Sequence, residues 1–129
     1  MRTSTSAVII LYGKLLIVRK KDSWILPGGK PKNMESDIDC LQRESAEELN
    51  GTLLKDFFYY REFEGKTPHR GDVLNNKVYF AQIDGIFRGV STRDSIVGYS
   101  WINRDKACKY SLSDITSKII ESLIKDRHI

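Results

Sequence analysis

Residues 35–48 hold six acids, Glu35, Asp37, Asp39, Glu44, Glu47 and Glu48, against a single base, Arg43. A helix advances by roughly 100° per residue. With Arg43 at zero, Glu47, Glu44 and Glu48 fall at roughly 40°, 100° and 140°, while Leu41, Ser45, Ile38 and Leu49 fall at roughly 160° to 240°. The spacing therefore predicts a helix over residues 36–49 with one carboxylate face beside one mostly apolar face. Like charges three and four residues apart repel, and Arg43, four residues before Glu47, can neutralise one carboxylate only. Most such faces are simply solvated. The alternative is a bound divalent cation, because hard ions such as Mg²⁺ take carboxylate oxygens together with waters and substrate phosphates. Cys40 lies near the carboxylates, but a thiol is a soft ligand and reads as a small packing residue.

The segment just before this helix favours a ligand. Gly28-Gly29 lets backbone approach a bound group closely, and Lys30 and Lys32 add positive charge. The chain as a whole carries +4, with a pI near 9.1, although residues 35–48 alone carry −5. The other residues therefore total +9 (20 bases, 11 acids), a balance that suits a polyanionic partner. Two bound Mg²⁺ would nearly cancel the acidic segment.

Length and composition limit the class. At 129 residues, 40% hydrophobic and 29% charged, the sequence is expected to form one domain, residues 1–129, with a core of its own. Disorder is excluded. No apolar run reaches the length of a membrane span, and residues 7–12 are short for a signal-peptide core. Cys40 and Cys108 lie far apart and are expected as reduced thiols in a cytoplasmic protein.

Residues 4–11 and 14–19 read as two strands joined by a turn at Tyr12-Gly13. Residues 24–26 form a short strand-like piece ahead of a loop over residues 27–34. A long aromatic strand is expected over residues 52–63, with about half of Phe57, Phe58, Tyr59 and Tyr60 in the core, followed by a polar loop over residues 65–75. Asp84-Gly85 suggests a hairpin between residues 77–83 and 86–90. A strand over residues 95–102 and an amphipathic helix over residues 113–125, with a Ser-rich start, complete the pattern. Trp24 and Trp101 read as core. Strands surrounding two helices imply an α/β (α+β) fold with a mixed sheet covered on both faces.

Residues 29–51 resemble the Nudix box, G-x5-E-x7-R-E-U-x-E-E-x-G-U with U aliphatic. Counting from Gly29, the residues Glu35, Arg43, Glu44, Glu47 and Glu48 stand at the family spacings, and Trp24-Ile25-Leu26-Pro27-Gly28-Gly29 is similar to the family lead-in. Three positions depart: Ser45 replaces an aliphatic residue, Asn50 replaces glycine, and Gly51 replaces another aliphatic. Ser45 is small enough to fit beneath the sheet. Asn50 can supply a left-handed helix end, or Gly51 can cap a helix one residue longer.

The resemblance implies a Nudix-like α/β/α sandwich, similar to MutT-like hydrolases. It implies hydrolysis of a nucleoside diphosphate linked to another moiety, with Mg²⁺ or Mn²⁺ as cofactor. Glu44, Glu47, Glu48 and the Gly29 carbonyl are then the expected metal ligands. Arg43 orients a box glutamate, and Glu35 supports the loop and the helix start. Gly28, Lys30 and Arg19 are expected at the substrate, although Arg19 reads equally as an exposed edge-strand charge. The general base is Glu47 or, outside the box, Asp94; Glu44 is a further box candidate, and His69 and Asp72 are weaker ones. Residues 65–76 and 88–94 are expected to set specificity. A small nucleotide is the expected substrate. The alternatives are an RNA 5′ end and a nucleotide-binding module without catalysis, the latter disfavoured by three crowded carboxylates. Family members are often homodimers, though no apolar stripe compels that here.

Overall fold

A computed structural model describes residues 2–66, 72–92 and 95–129. Seven strands form a mixed sheet: β1 Arg2–Leu11, β2 Lys14–Lys20, β3 Ser23–Ile25, β4 Gly28–Gly29, β5 Leu53–Lys66, β6 Val73–Asp84 and β7 Ile96–Ile102. Two helices, α1 Asp37–Glu48 and α2 Asp114–Lys125, flank it, and a 3₁₀ segment, Arg104–Lys109, precedes α2.

The path through the sheet runs β3-β2-β1-β6-β5, with β4 added to β1 and β7 to β2. β1 and β6 are parallel, from Arg2 opposite Leu74 to Ile9 opposite Ala81; the other strand pairs among the described residues are antiparallel, and Trp24 makes an isolated parallel bridge to Leu112. Tyr12 and Gly13, both at positive φ (52° and 75°), make the tight turn between β1 and β2.

Alternation along β1 and β2 divides the core. Val8, Leu15 and Ile17 face α2 with Ile115, Ile119, Ile120 and Leu123. Ala7, Ile9, Leu16 and Val18 face Leu41 of α1 and Leu49, the residue that caps its C-terminus. The result is an α/β/α sandwich. Ser36 caps α1 by accepting from Asp39 N–H at 3.1 Å, and Ser113 caps α2 by accepting from Thr116 N–H at 3.2 Å. At the far end of α1, Asn50 takes φ 53° and Gly51 N–H donates to Ala46 O at 2.8 Å, so Asn50 is the left-handed cap of a Schellman ending.

Three expectations need correction. Residues 86–90 form no strand and no hairpin. Their backbone is held instead by the end of α1: Asn50 Nδ2 donates to Arg88 O, Arg88 N–H to Thr52 Oγ1, and Ser91 N–H to Glu48 O. Phe87 packs edge-on against Tyr99 and Trp101 at 5.0 and 5.4 Å. The loop placed at 65–75 is shorter, because β5 continues to Lys66 and β6 begins at Val73.

Alternation in β5 is interrupted by register shifts between Lys55 and Phe58 and between Tyr59 and Arg61, with Asp56 at φ 55°. Phe57 and Tyr60 therefore join opposite core faces, while Phe58 and Tyr59 are exposed. On α1, the buried residues are Cys40, Leu41, Ser45 and Glu48, and Ile38 is exposed. The inward face thus turns toward the carboxylates and not toward Ile38. Trp24 and Trp101 are half-buried and pack against the two core clusters.

Candidate functional site

β4 brings Gly28 and Gly29 alongside β1, opposite Ser6 and Thr5. The approach requires glycine at position 28 and brings a side chain against position 29. A Cβ on Gly28, whose φ is 149°, would lie 2.1 Å from Thr5 O, and one on Gly29 would lie 2.5 Å from Glu44 Cδ. The Glu44 side chain is thus laid directly over the Gly29 backbone. From the other end of α1, Glu48 reaches back to accept the Gly28 N–H at 2.9 Å. Glu44, Glu47 and Glu48 line one cleft of about 420 Å³ together with Gly28, Gly29, Lys20, Lys30 and Ser95.

Arg43 organises the near wall. Its Nε and Nη2 donate to the two Glu35 oxygens, each at 2.8 Å, and Nη1 donates to Glu44 Oε1 at 2.8 Å. Nη2 also reaches Lys30 O at 3.3 Å, and Glu47 Oε2 stands 3.8 Å from Nη1. Glu35 in turn accepts the Lys32 N–H at 2.9 Å, closing the turn ahead of α1. Held first by Arg43 and then by that N–H, the Glu35 carboxyl is lowered to about 2, and the same contact with Glu35 raises Arg43.

The three box carboxylates differ in exposure. Glu48 is 4% exposed, the Glu44 side chain 19% and the Glu47 side chain 46%. The last turn of α1 holds Glu47 and Glu48 with no basic residue, so both oppose the helix dipole, and Glu44, one turn earlier, repels each of them. Among the described residues no three acidic, His or Cys side chains already converge as a metal cage. The donor set nevertheless fits Mg²⁺ or Mn²⁺, because such ions use one or two protein carboxylates and complete their shell with phosphates and waters. The Gly29 carbonyl accepts from Thr5 Oγ1 at 3.2 Å and from Cys40 Sγ at 3.7 Å. Cys40 is fully buried, with its thiol pushed up by desolvation, and acts as packing.

Other sequence candidates fall elsewhere. Arg19 is exposed on β2 and lines no wall of the cleft; the adjacent Lys20 does, next to a register shift between the two residues. Asp72 pairs with Arg2 at 3.0 Å, at the start of β1. Asp94 and His69 lie outside the described residues. Sequence reasoning missed Lys20 and Ser95. A lysine in a basic stretch and a serine among several carry no local signal, and only the bulge and the strand order bring them to the cleft.

The NUDIX domain family model matches residues 1–123. Among solved structures, the chain overlays on a MutT NUDIX hydrolase from Burkholderia pseudomallei with a TM-score of 0.80 at 25% identity, covering 93% of this chain and 95% of that one. The MutT protein from Methanosarcina mazei Go1 gives a TM-score of 0.77 at 20% identity, over 98% and 94% of the two chains. A UDP-X diphosphatase gives 0.72 at 21% identity, over 99% of this chain and 64% of that one. The latter two bear on the fold alone. No curated protein sequence matches the chain.

Proposed function

As the chain belongs to the NUDIX domain family and is a hydrolase of phosphoanhydride bonds, we propose that it is a Mg²⁺- or Mn²⁺-dependent enzyme cleaving the pyrophosphate of a small nucleotide, a nucleoside diphosphate linked to another moiety. The observation that supports this reading is the single cleft in which Glu44, Glu47 and Glu48 meet the Gly28-Gly29 backbone and the two lysines Lys20 and Lys30. Pyrophosphate and carboxylates repel one another, and a cleft offering both acids and bases suits a bridged anion.

Glu44, Glu47, Glu48 and the Gly29 carbonyl would hold the ion. When bound, it would lower the pKa of a water and neutralise charge developing on the phosphates. Lys20 and Lys30 draw the polyphosphate into the cleft, and Gly28 permits its close approach. Arg43 is a positioning residue that fixes Glu44. Water attacks phosphorus, its proton passes to a carboxylate, and the bridging P–O bond breaks with its electron pair going to the departing phosphate. Glu47, the most exposed acid of the three, is the base within the box; Asp94 is the candidate outside it. The protein is read as a single cytoplasmic domain over residues 1–129. Among the described residues no helix is long and apolar enough to cross a membrane.

The test is a panel of nucleoside triphosphates, nucleoside diphosphate sugars and 5′-triphosphorylated RNA, assayed with Mg²⁺ or Mn²⁺ and with products identified. Metal-dependent release of a nucleoside monophosphate with pyrophosphate or a phosphorylated product supports the reading. Turnover confined to the RNA would move the substrate to RNA 5′ ends, which the +9 balance outside the box permits. Binding without turnover would make the chain a nucleotide-binding module.

A further inference from the structure

Both backbone groups of Arg88 are held by side chains. Its N–H donates to Thr52 Oγ1 at 3.0 Å, and its carbonyl accepts from Asn50 Nδ2 at 3.1 Å. In a sheet a neighbouring backbone would satisfy such a residue; here two side chains just past α1 do so. Thr52 is 1% exposed, and its hydroxyl also donates to Leu49 O at 2.6 Å, so its proton and a lone pair are both engaged. Three residues after Arg88, the Ser91 N–H donates to Glu48 O at 2.8 Å. Carbonyls left open at the end of α1 thus take part in holding this segment. Phe87 and Val90 pack against the core face shared with α1, so side chains and backbone pin the same stretch.

The helix end does not need the Asn50 amide. The left-handed turn at φ 53° is a backbone conformation, which glycine, the residue of the family pattern at this position, adopts without strain. Glycine lacks only the group that reaches Arg88. The pinned segment leads into the carboxylate cleft. Ser95, four residues after Ser91, lines that cleft with Lys20, and the next residue, Ile96, pairs with Lys20 in the sheet. Four residues span at most roughly 14 Å. Anchoring Ser91 to Glu48 therefore limits how far Ser95 can stand from the carboxylate end of α1.

We propose that Asn50 and Thr52 are positioning residues for the hydrolysis. Their grip on Arg88 holds the Ser95 side of the cleft at the spacing from Glu47 and Glu48 that a polyphosphate requires. The inference rests on the hydrolase reading for what occupies the cleft. Among the described residues, neither Asn50 nor Thr52 belongs to the cleft lining, so both act through the segment they grip. A wall that meets the bound phosphates before and during bond cleavage alike contributes uniform binding, and loosening it raises KM while leaving kcat in place.

The experiment measures kcat and KM with Mg²⁺ for ATP, UTP, UDP-glucose and ADP-ribose in the wild type, Asn50→Gly, Thr52→Val, the double variant and the conservative Thr52→Ser. Each protein is first checked for a cooperative thermal transition. On the best wild-type substrate, KM should rise about 5–10-fold in Asn50→Gly and in Thr52→Val, the scale of one or two hydrogen bonds, with kcat within about 2-fold. Thr52→Ser should stay near wild type. The double variant should exceed the worse single variant by no more than about 2-fold, because both side chains grip one residue. A lowered thermal midpoint with unchanged KM, or a fall in kcat at unchanged KM, overturns the proposal and leaves the hydrolase intact. If the wild type turns over none of the four, the failure lies with the hydrolase reading, and calorimetric titration with Mn²⁺ and inorganic pyrophosphate decides the rest. Weaker pyrophosphate binding in Asn50→Gly and Thr52→Val, restored in Thr52→Ser, upholds the positioning of the cleft wall; equal binding, or none, overturns it.

Discussion

Glu48 Oε1 accepts the backbone N–H of Gly28 at 2.9 Å, which ties the last turn of α1 to the two-residue strand that carries Gly29. A carboxylate is thereby buried at a helix end with no basic neighbour in that turn. The arrangement places charge where a hydrolase of anhydrides can use it, at a cost in electrostatic repulsion to the free protein.

Glu48→Gln tests that balance. The amide oxygen can still accept from Gly28, and removing one negative charge relieves repulsion with Glu44. Turnover should fall roughly 10²–10³-fold, the scale for losing one electrostatic element of an active site. The thermal midpoint should be unchanged or higher. Wild-type turnover in this variant would remove Glu48 from the metal site.

Arg43→Lys keeps the charge but not the fork that meets both Glu35 oxygens and Glu44 at once. Activity is expected to drop roughly 10–100-fold, as when a residue orienting a metal ligand is lost. Metal titration of the rate should show weaker apparent affinity. An unchanged metal dependence would mean Glu44 needs no orienting partner.

Glu35 gives a pH dependence with a defined sign. Its carboxyl is lowered from 4.5 to about 2 in the folded chain, so folding favours the ionised form. The contribution is present above pH 4.5 and is lost as pH falls from 4.5 toward 2. Urea midpoints of wild type and Glu35→Gln should therefore converge over that window, with the wild type showing the steeper acid loss. Parallel curves would contradict the Arg43–Glu35 contact.

Ser45 is fully buried with an unpartnered hydroxyl, where the family pattern has an aliphatic residue. Ser45→Ala should raise stability by about 1 kcal/mol, because an unsatisfied polar atom leaves the core. Chemical denaturation measures it. Destabilisation would mean that the hydroxyl has a partner in solution.

The base can be assigned by comparing Glu47→Gln with Asp94→Asn. Glu47→Gln should lose turnover in either case, because Glu47 also serves the ion, so Asp94→Asn decides: near wild-type kcat returns the role to Glu47 or Glu44, and a loss of roughly 10²–10⁴-fold, the usual contribution of a general base, gives it to Asp94.

The box was legible because its chemistry is local: Glu35, Arg43, Glu44, Glu47 and Glu48 are brought together by turn and helix spacing, and the Asn50 helix end and the Ser-rich start of α2 are equally local. Lys20 and Ser95 were not, since their positions depend on the β2 bulge and the approach of β7, which join residues distant in sequence. The missing strand at 86–90 has the same origin. Its hydrogen-bonding partners, Glu48, Asn50 and Thr52, lie some 40 residues upstream, where no turn propensity can register them. The exposure of Phe58 follows from Asp56 leaving the β region, which a simple alternation count cannot foresee.

β5 closes one side of the sheet, and its outer edge is unpaired among the described residues. Near its end, Asp114 of α2 accepts the Lys66 N–H and Lys118 donates to Glu64 O, but the rest of that edge could recruit strands from other copies and grow a fibril. The break at Asp56, the second shift before Arg61, and the exposed charges of Lys55, Arg61, Glu62, Glu64 and Lys66 leave no long flat stretch for a newcomer to zip onto. The same irregularities that spoiled the alternation of its aromatics keep the sheet finite.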